Sequence, residues 1–328
     1  MGGLIADAER TTASEQIFDA SYLVLDDFLP LDLALTIRRD IETYFTAPNP
    51  QNTEMHQVWN YRFVPELCSY LRTTPAKIIR QESVRRFFEA LQGCSKERLG
   101  LWTASWPVLN CYLPGFHQKL HSDPANGRIG YIYSLTSDTR QTQGGQTLVF
   151  NDGDPIRANF QSSPANGSFC TAIEPAFNRL ILFDTRVPHA IEQLVGSMAP
   201  LEGRFDLHGY VSESAPVVLG ALSAEEALPI VGEAVNEVFS ASPDFMDRYH
   251  GPLCLQIGIE DSGVVQGARA LLHRVASTHS AENDFGSVLE NLLIEIEKKK
   301  FPQAPGETTI ILPIMFGGFL PFIASGRG

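Results

Sequence analysis

Hydrophobic and polar positions follow three rhythms along the chain. The first is helical. YLVLDDFLP passes through a turn at Asp27 to Pro30 into LDLALTIRRDIETYF, where Ala34, Ile37, Ile41, Tyr44 and Phe45 recur at the spacing of one helix face. This predicts a short strand and an amphipathic helix, with a second helix over about 76–91. The second rhythm is shorter. From about Trp102 to Val211, apolar runs alternate with Gly, Asn, Asp and Pro clusters: WPVLNCYL, GRIGYIYSLT, QTLVFN, GSFCTAIEP, NRLILFD, AIEQLV and GRFDLHGYV. Short strands at such spacing predict an antiparallel sandwich or barrel, with the preceding helices packed on one face.

The third rhythm follows SESAPVVLGALSAEEALP, whose small residues mark a boundary at about 213–222. A helix to about Tyr249 precedes a strand that places Leu253, Leu255, Ile257 and Ile259 on one face. A turn at EDSGVV leads into a second strand ending near Ser277. Phe285, Val288, Leu289, Leu292, Leu293 and Ile296 then define a helix face before a last strand, TTIILPIMF. The expected fold is mainly β with flanking helices, in two domains, 1–213 and a smaller α+β unit over 222–328.

Charge and cysteine usage narrow the function. Lys and Arg total 25 against 38 Asp and Glu, a net charge of -13, so no cationic footprint for nucleic acid is present. The five cysteines are scattered without a CxxC pair, which predicts neither a disulfide framework nor a zinc ribbon and fits a cytoplasmic location. MGGLIADAER lacks the pattern of a signal peptide, and no apolar run reaches the ~18 residues that cross a bilayer. TIILPIMFGGFLPFIA, broken by Pro313, Gly317, Gly318 and Pro321, is expected to be a buried strand and tail. No membrane partner is expected.

The candidate chemistry sits in CYLPGFHQKLHSDPANGRIGYIY. Residues i and i+2 of a strand share a face, so His121 and Asp123 can present an imidazole and a carboxylate to one ion. Alone, such a pair is more often a surface histidine beside an acidic turn. His189, in LILFDTRVPHAIEQL, adds a third donor at the start of a strand. Two histidines and a carboxylate can hold one face of an octahedral ion and leave positions open, which suits non-haem Fe(II), whereas structural zinc wants four closed ligands. His250, His273 and His279 show no such spacing.

Taken in order, VLNCYLPG, HSDPANGRIGYIYSLT, QGGQTLVF, IEPAFNRLILFDTRVPHAI and GRFDLHGYV resemble the core of Fe(II)/2-oxoglutarate-dependent dioxygenases, particularly the prolyl-hydroxylase branch, over roughly residues 20–211. The resemblance implies a double-stranded β-helix (jelly-roll, cupin-like) core. It implies Fe(II) held by His121, Asp123 and His189, with 2-oxoglutarate and O₂ as cosubstrates. It places Arg204 on the far carboxylate of 2-oxoglutarate, with GSMAPLEG as a lengthened loop before it. Tyr112, Tyr133 and Thr147 stand where relatives contact the cosubstrate, although either tyrosine is equally a core residue. Asp206 stands where many relatives carry serine, and a carboxylate pointing inward there would repel the cosubstrate.

The expected reaction is hydroxylation of an unactivated C–H of an amino acid, peptide or protein side chain, proline first; Asp123 fills the position that halogenating relatives leave small. Oxidative tailoring of a small natural product, and a catalytically silent jelly-roll scaffold, are the alternatives. From Cys111 to Tyr210 there are seven basic and nine acidic residues, so this region is far less acidic than the chain. Arg128 and Arg186 are candidates for steering an anionic substrate, or else solvated loop charges; Trp102 and Trp106 either wall the pocket or pack in the core. Residues 222–322, with LCLQIGIEDSGVV, EKKKFP and GETTIILPIMF, resemble the C-terminal domain of TonB-type transducers, which implies a partner contact or homodimer through an exposed strand edge.

Overall fold

A computed structural model describes residues 17–47, 58–137, 141–150, 170–240, 248–277 and 285–317. His279 and the apolar tail beyond Gly317 lie outside the described residues. The N-terminal strands are β1 (Tyr22–Leu25), β2 (Asn60–Val64), β3 (Cys68–Thr73), β4 (Thr103–Ala104), β5 (Val108–Tyr112) and β6 (His117–His121). They continue as β7 (Ile129–Ser134), β8 (Thr147–Phe150), β9 (Cys170–Ile173), β10 (Arg179–Asp184), β11 (His189–Ile191) and β12 (Arg204–Ser212). These form one 12-stranded sheet, ordered β1-β10-β7-β12-β5-β3-β6-β11-β8-β9, with β2 and β4 off this path. Every strand pair in it is antiparallel.

The sheet curls. Ile132 and Phe183, from one side of the strand order, pack in one apolar cluster with Val149 and Ile173 from the far end. Two helices cover its outer face: α1 (Leu31–Thr46) and α2 (Gln81–Leu99). Alternation decides what faces them. On β12, Phe205, Leu207 and Val211 join the helix-packed core, while Asp206, His208 and Tyr210 line a cavity on the inner face. On β5, Leu109 and Cys111 face the helices, and Asn110 and Tyr112 the cavity.

Helix α1 buries Leu33, Ala34, Ile37 and Ile41 at the predicted spacing, whereas Tyr44 and Phe45 are half-buried. Each fully buried Leu or Ile of such a face contributes about 1.5–3 kcal/mol. Helix α2 starts later and runs farther than its apolar spacing predicts, because Pro75–Lys77 forms a separate 3₁₀ turn. Gly100 ends α2 in the left-handed region at φ 65°, and a Cβ there would strike the Cys254 sulfur.

The second, 5-stranded sheet comprises β13 (Val217–Gly220), β14 (Tyr249–Ile259), β15 (Val265–His273), β16 (Ala276–Ser277) and β17 (Thr308–Phe316). Helices α3 (Ala224–Phe239) and α4 (Phe285–Lys298) pack with it. Ser223 and Glu226 close a reciprocal capping box at the start of α3, which fixes where that helix begins. The helix stops at Phe239, short of the expected Tyr249. The predicted boundary segment contains a strand, β13, which pairs with β17.

The two sheets share packing. Cys254, Leu271, Leu272 and Ile311 belong to the same apolar core as α1 and α2. Asp184, fully buried, receives Arg186 at 2.7 Å and Arg274 at 3.0 Å, and thereby ties β10 to the segment after β15. No helix among the described residues is long and apolar enough to cross a membrane.

Candidate active site

Strands β6 and β11 run side by side with His121 and His189 as direct cross-strand partners. Their rings stand 4.3 Å apart between centroids. Asp123 lies just past the end of β6, not on it as the i, i+2 spacing suggests. Its backbone N–H donates to the Thr185 carbonyl at 2.8 Å, and its own carbonyl accepts from Asn126 at 3.0 Å, so a turn delivers the carboxylate. Asp123 Oδ2 is 3.6 Å from His121 Nε2 and 3.8 Å from His189 Nε2. The ligand atoms of the three residues all lie within 4.8 Å of one another.

The imidazoles are oriented by the backbone. His121 Nδ1 donates to the Lys119 carbonyl at 2.8 Å and His189 Nδ1 to the Val187 carbonyl at 2.9 Å, which leaves each Nε2 lone pair facing the cluster. Phe183 packs against the His189 ring at 4.5 Å. Gly130 makes room for Phe183, since a Cβ there would enter its ring. Tyr210 donates to Asp123 Oδ2 at 2.8 Å. Gln118 Nε2 lies 2.8 Å from His121 Nε2 and occupies the lone pair that an ion would use.

Protonation favours ligation at His189 and Asp123. Burial, then the neighbouring His121, pushes His189 down to about 4, so it is neutral near pH 7. Burial opposes charge on Asp123, but hydrogen bonds from His121 and Tyr210 and the nearby imidazoles outweigh it and hold the carboxyl well below the usual range. Burial also opposes charge on His121, yet Asp123 and the Lys119 carbonyl leave its pKa raised. Two imidazole nitrogens and one carboxylate, with no fourth ligand in the cluster among the described residues, fit a three-point hold on non-haem Fe(II).

Behind this cluster the cavity, about 250 Å³, extends toward β12 and β5. Arg204 is 1% exposed. Its Nε donates to Asp206 Oδ2 at 3.0 Å, Nη2 donates to Thr147 Oγ1 at 3.1 Å, and Nη1 donates to the Gly145 carbonyl. Its guanidinium lies 5.5 Å from the centre of the Tyr112 ring. Tyr112 and Thr147 line the cavity, and the Tyr112 hydroxyl donates to Gln118 Oε1 at 3.3 Å. Asp206 points inward, as feared from its position, and neutralises Arg204. The segment expected to lengthen the loop before Arg204 contains a 3₁₀ turn at Pro200–Glu202.

Three expected contacts fall elsewhere. Tyr133 pairs with Leu207 on the helix-packed face, contacts Phe28 and Phe87, and donates to Asn178 Oδ1 at 2.8 Å, so it is a core residue. Arg128 forms a fork with Glu213 at 2.7 and 2.6 Å. Arg186 is committed to Asp184 and to the Arg274 carbonyl. Neither arginine lines the cavity. Trp102 packs on the core under Lys96, and Trp106 meets Phe88.

Residues missed from sequence are Tyr210, His208, Asn110, Arg72 and Arg62, all lining the cavity. The first three were accessible from parity, being two or four residues from Asp206, His208 and Tyr112 on predicted strands. Arg72 and Arg62 were not, because the β2–β3 hairpin carries no strong alternation.

Residues 107–211 match the family described as the 2OG-Fe(II) oxygenase superfamily. No curated protein gives a significant sequence match. Among solved structures, a prolyl hydroxylase from Trichoplax adhaerens in complex with a hypoxia inducible factor peptide fragment is similar at TM-score 0.44 and 14% identity, over 59% of this chain and 84% of that one. A Pseudomonas putida prolyl-4-hydroxylase is similar at TM-score 0.40 and 15% identity, over 60% and 94%. The non-heme alpha ketoglutarate dependent epimerase SnoN from nogalamycin biosynthesis is similar at TM-score 0.44 and 10% identity, over 60% and 80%. With the His-Asp-His cluster inside the matched segment, residues 107–211 are a domain of the 2OG-Fe(II) oxygenase superfamily, whose chemistry uses Fe(II), 2-oxoglutarate and O₂.

Proposed function

We propose that the protein hydroxylates an amino acid, peptide or protein side chain, with proline the first candidate, and that His121, Asp123 and His189 bind its iron. The observation that carries this is the convergence of three ligand atoms within 4.8 Å, with both Nδ1 atoms held by backbone carbonyls. When bound, Fe(II) with 2-oxoglutarate and O₂ supplies the oxidising chemistry, in which cosubstrate decarboxylation to succinate is coupled to insertion of oxygen into a substrate C–H. The protein contributes orientation and exclusion of water. Tyr210 keeps Asp123 turned toward the histidines and stabilises it as a carboxylate. Phe183 and Ile132 wall the cavity beside the cluster and keep that side dry.

We assign Arg204, Thr147 and Tyr112 to the far carboxylate of the cosubstrate. Arg204 retains one uncommitted hydrogen on each terminal nitrogen, and a guanidinium fork suits a carboxylate. Asp206, which already accepts from Asn110 through its other oxygen, opposes that contact and must release Arg204 for the cosubstrate to seat. The curled antiparallel sheet supports a double-stranded β-helix as the core. Two separate sheets support the division into 1–213 and 222–328, with the second unit serving a partner contact through β15, the last strand in its order.

The test is incubation with Fe(II), 2-oxoglutarate, O₂ and a panel of free amino acids and proline-containing peptides, following succinate and product mass. A member that raises succinate formation and gains one oxygen atom supports the proposal. A protein that binds iron and cosubstrate while no member raises succinate above the substrate-free rate would refute it.

A further inference from the structure

One wall of the cavity holds polar atoms that nothing among the described residues satisfies. Asn110 is 4% exposed, and its Nδ2 donates to Asp206 Oδ1 at 2.9 Å. A carboxylate oxygen accepts, which fixes the amide with Nδ2 toward Asp206 and Oδ1 away from it. That Oδ1 is buried and has no partner. Directly across the sheet, Arg72 of β3 is the cross-strand partner of Asn110, and its buried Nε–H has no acceptor. Arg72 and Arg62 both line the cavity, and neither has an ion pair among the described residues. They differ in this from Arg204, whose charge is met by Asp206 at 3.0 Å.

Leaving a buried acceptor and a buried donor open is costly, so a site keeps them for a ligand or for water. Water fills a polar gap and hydrates the exposed Arg62, but it gives the half-buried Arg72 no counter-charge. The cosubstrate does not fit either: 2-oxoglutarate carries two carboxylates and a ketone and has no hydrogen to donate to Asn110 Oδ1. The matching molecule is an anion with an N–H or O–H beside its carboxylate.

We propose that Arg72, Asn110 and Arg62 form the binding subsite for the molecule that is oxidised, and that this molecule is a free α-amino or α-hydroxy acid whose carboxylate meets the arginines and whose donor meets Asn110 Oδ1. The inference rests on the oxygenase reading above for the position of the reacting centre, and it sharpens the substrate class. An internal peptide bond would satisfy Asn110 but leave the half-buried Arg72 without a counter-charge.

The experiment is ligand-observed saturation-transfer NMR on the full chain, anaerobic, with and without Fe(II) and 2-oxoglutarate. The probes are the common L-amino acids, their α-hydroxy acid counterparts and their N-acetyl amides. Calorimetry on any binder then compares the natural protein with Arg72→Gln, Arg72→Lys and Asn110→Leu, and the visible cosubstrate charge-transfer band is titrated in each. The expected result is binding of an amino or hydroxy acid but not of its N-acetyl amide. It should weaken about tenfold or more in Arg72→Gln and Asn110→Leu, with the cosubstrate titration unchanged in Arg72→Gln. Arg72→Lys, which keeps the charge and loses the fork, should bind at an intermediate level and serves if Arg72→Gln does not fold.

Equal binding of the N-acetyl amide overturns the proposal. So does an acid affinity unaffected by all three variants, which would leave the open atoms holding water. Loss of the cosubstrate band in Arg72→Gln with acid binding intact would transfer the subsite to 2-oxoglutarate and also overturn it. Absence of any acid binder beside a normal cosubstrate band refutes this inference and leaves the proposed function standing. Absence of the band in the natural protein refutes the proposed function, while acid binding to the metal-free chain still decides the role of Arg72.

Discussion

The two ends of the cavity differ in how their polar atoms are satisfied. At the His121–Asp123–His189 end both Nδ1 atoms meet backbone carbonyls and Asp123 receives Tyr210, so the donors are fixed before anything binds. At the β3–β5 end, Asn110 Oδ1 and Arg72 Nε are left open. A site that always takes the same ion gains from a rigid shell. A site that must recognise one molecule among many keeps unmet partners, because a wrong molecule then leaves them unpaired. Arg204 and Asp206 are buried and neutralised by each other.

The largest effect is expected at the proposed iron ligands. Asp123→Ala or His189→Ala should abolish iron retention and succinate formation, while circular dichroism shows the same fold; retained turnover would move the reacting centre elsewhere. The next largest effect lies outside the cavity, at a buried ion cluster with a purely structural task. Asp184→Ala leaves Arg186 and Arg274 uncompensated and should cost about 3–5 kcal/mol in denaturant unfolding with little change in cosubstrate affinity.

Burial raises the cost of charge on Asp184, but Arg186 and Arg274 outweigh it, so its pKa is lowered on folding. Its stabilisation is therefore fully present above the unfolded-state value of about 3.9 and lost as pH falls through the lower folded value. Asp184→Asn should flatten that acid limb of the stability profile.

Within the rigid end, Tyr210→Phe removes the hydrogen bond to Asp123 and should weaken iron binding about 10–100-fold, measured by metal competition. An unchanged affinity would show that the turn alone positions Asp123. Asp206→Ser frees the Arg204 charge and should tighten 2-oxoglutarate binding about tenfold, close to 1.4 kcal/mol. Weaker binding instead would show that Asp206 positions Arg204 and does not oppose the cosubstrate. The smallest effect is at Tyr133→Phe. Loss of its hydrogen bond to Asn178 should cost about 1 kcal/mol of stability and leave cosubstrate affinity unaltered, as a core residue requires.

Legibility in the sequence followed the strength of local alternation. Strands β5, β7, β10 and β12 have clear period-two patterns and clear bounding turns, so their existence was evident. Their inner faces were read only in part: Asn110, His208 and Tyr210 went unassigned, and Tyr133 belongs with Tyr131 on the helix-packed face, while Ile132 between them faces the cavity. The three donor residues were evident from residue type and spacing. Their convergence was not, since it depends on β6 pairing with β11 and on the Thr185 carbonyl that anchors Asp123. Arg128 and Arg186 misled because a loop arginine carries no local sign of its partner; Glu213 and Asp184 reach them only through the fold. Arg72 was hidden for the same reason, since its meaning comes from lying opposite Asn110.

The most direct test of the central claim is an anaerobic titration of the metal-free protein with Fe(II) and 2-oxoglutarate, following the weak visible charge-transfer band of the cosubstrate-loaded centre. The account predicts a saturable band at one iron per chain that disappears in Asp123→Ala and His189→Ala with the fold retained. A folded natural protein that shows no band, or a band that survives in both variants, would contradict it.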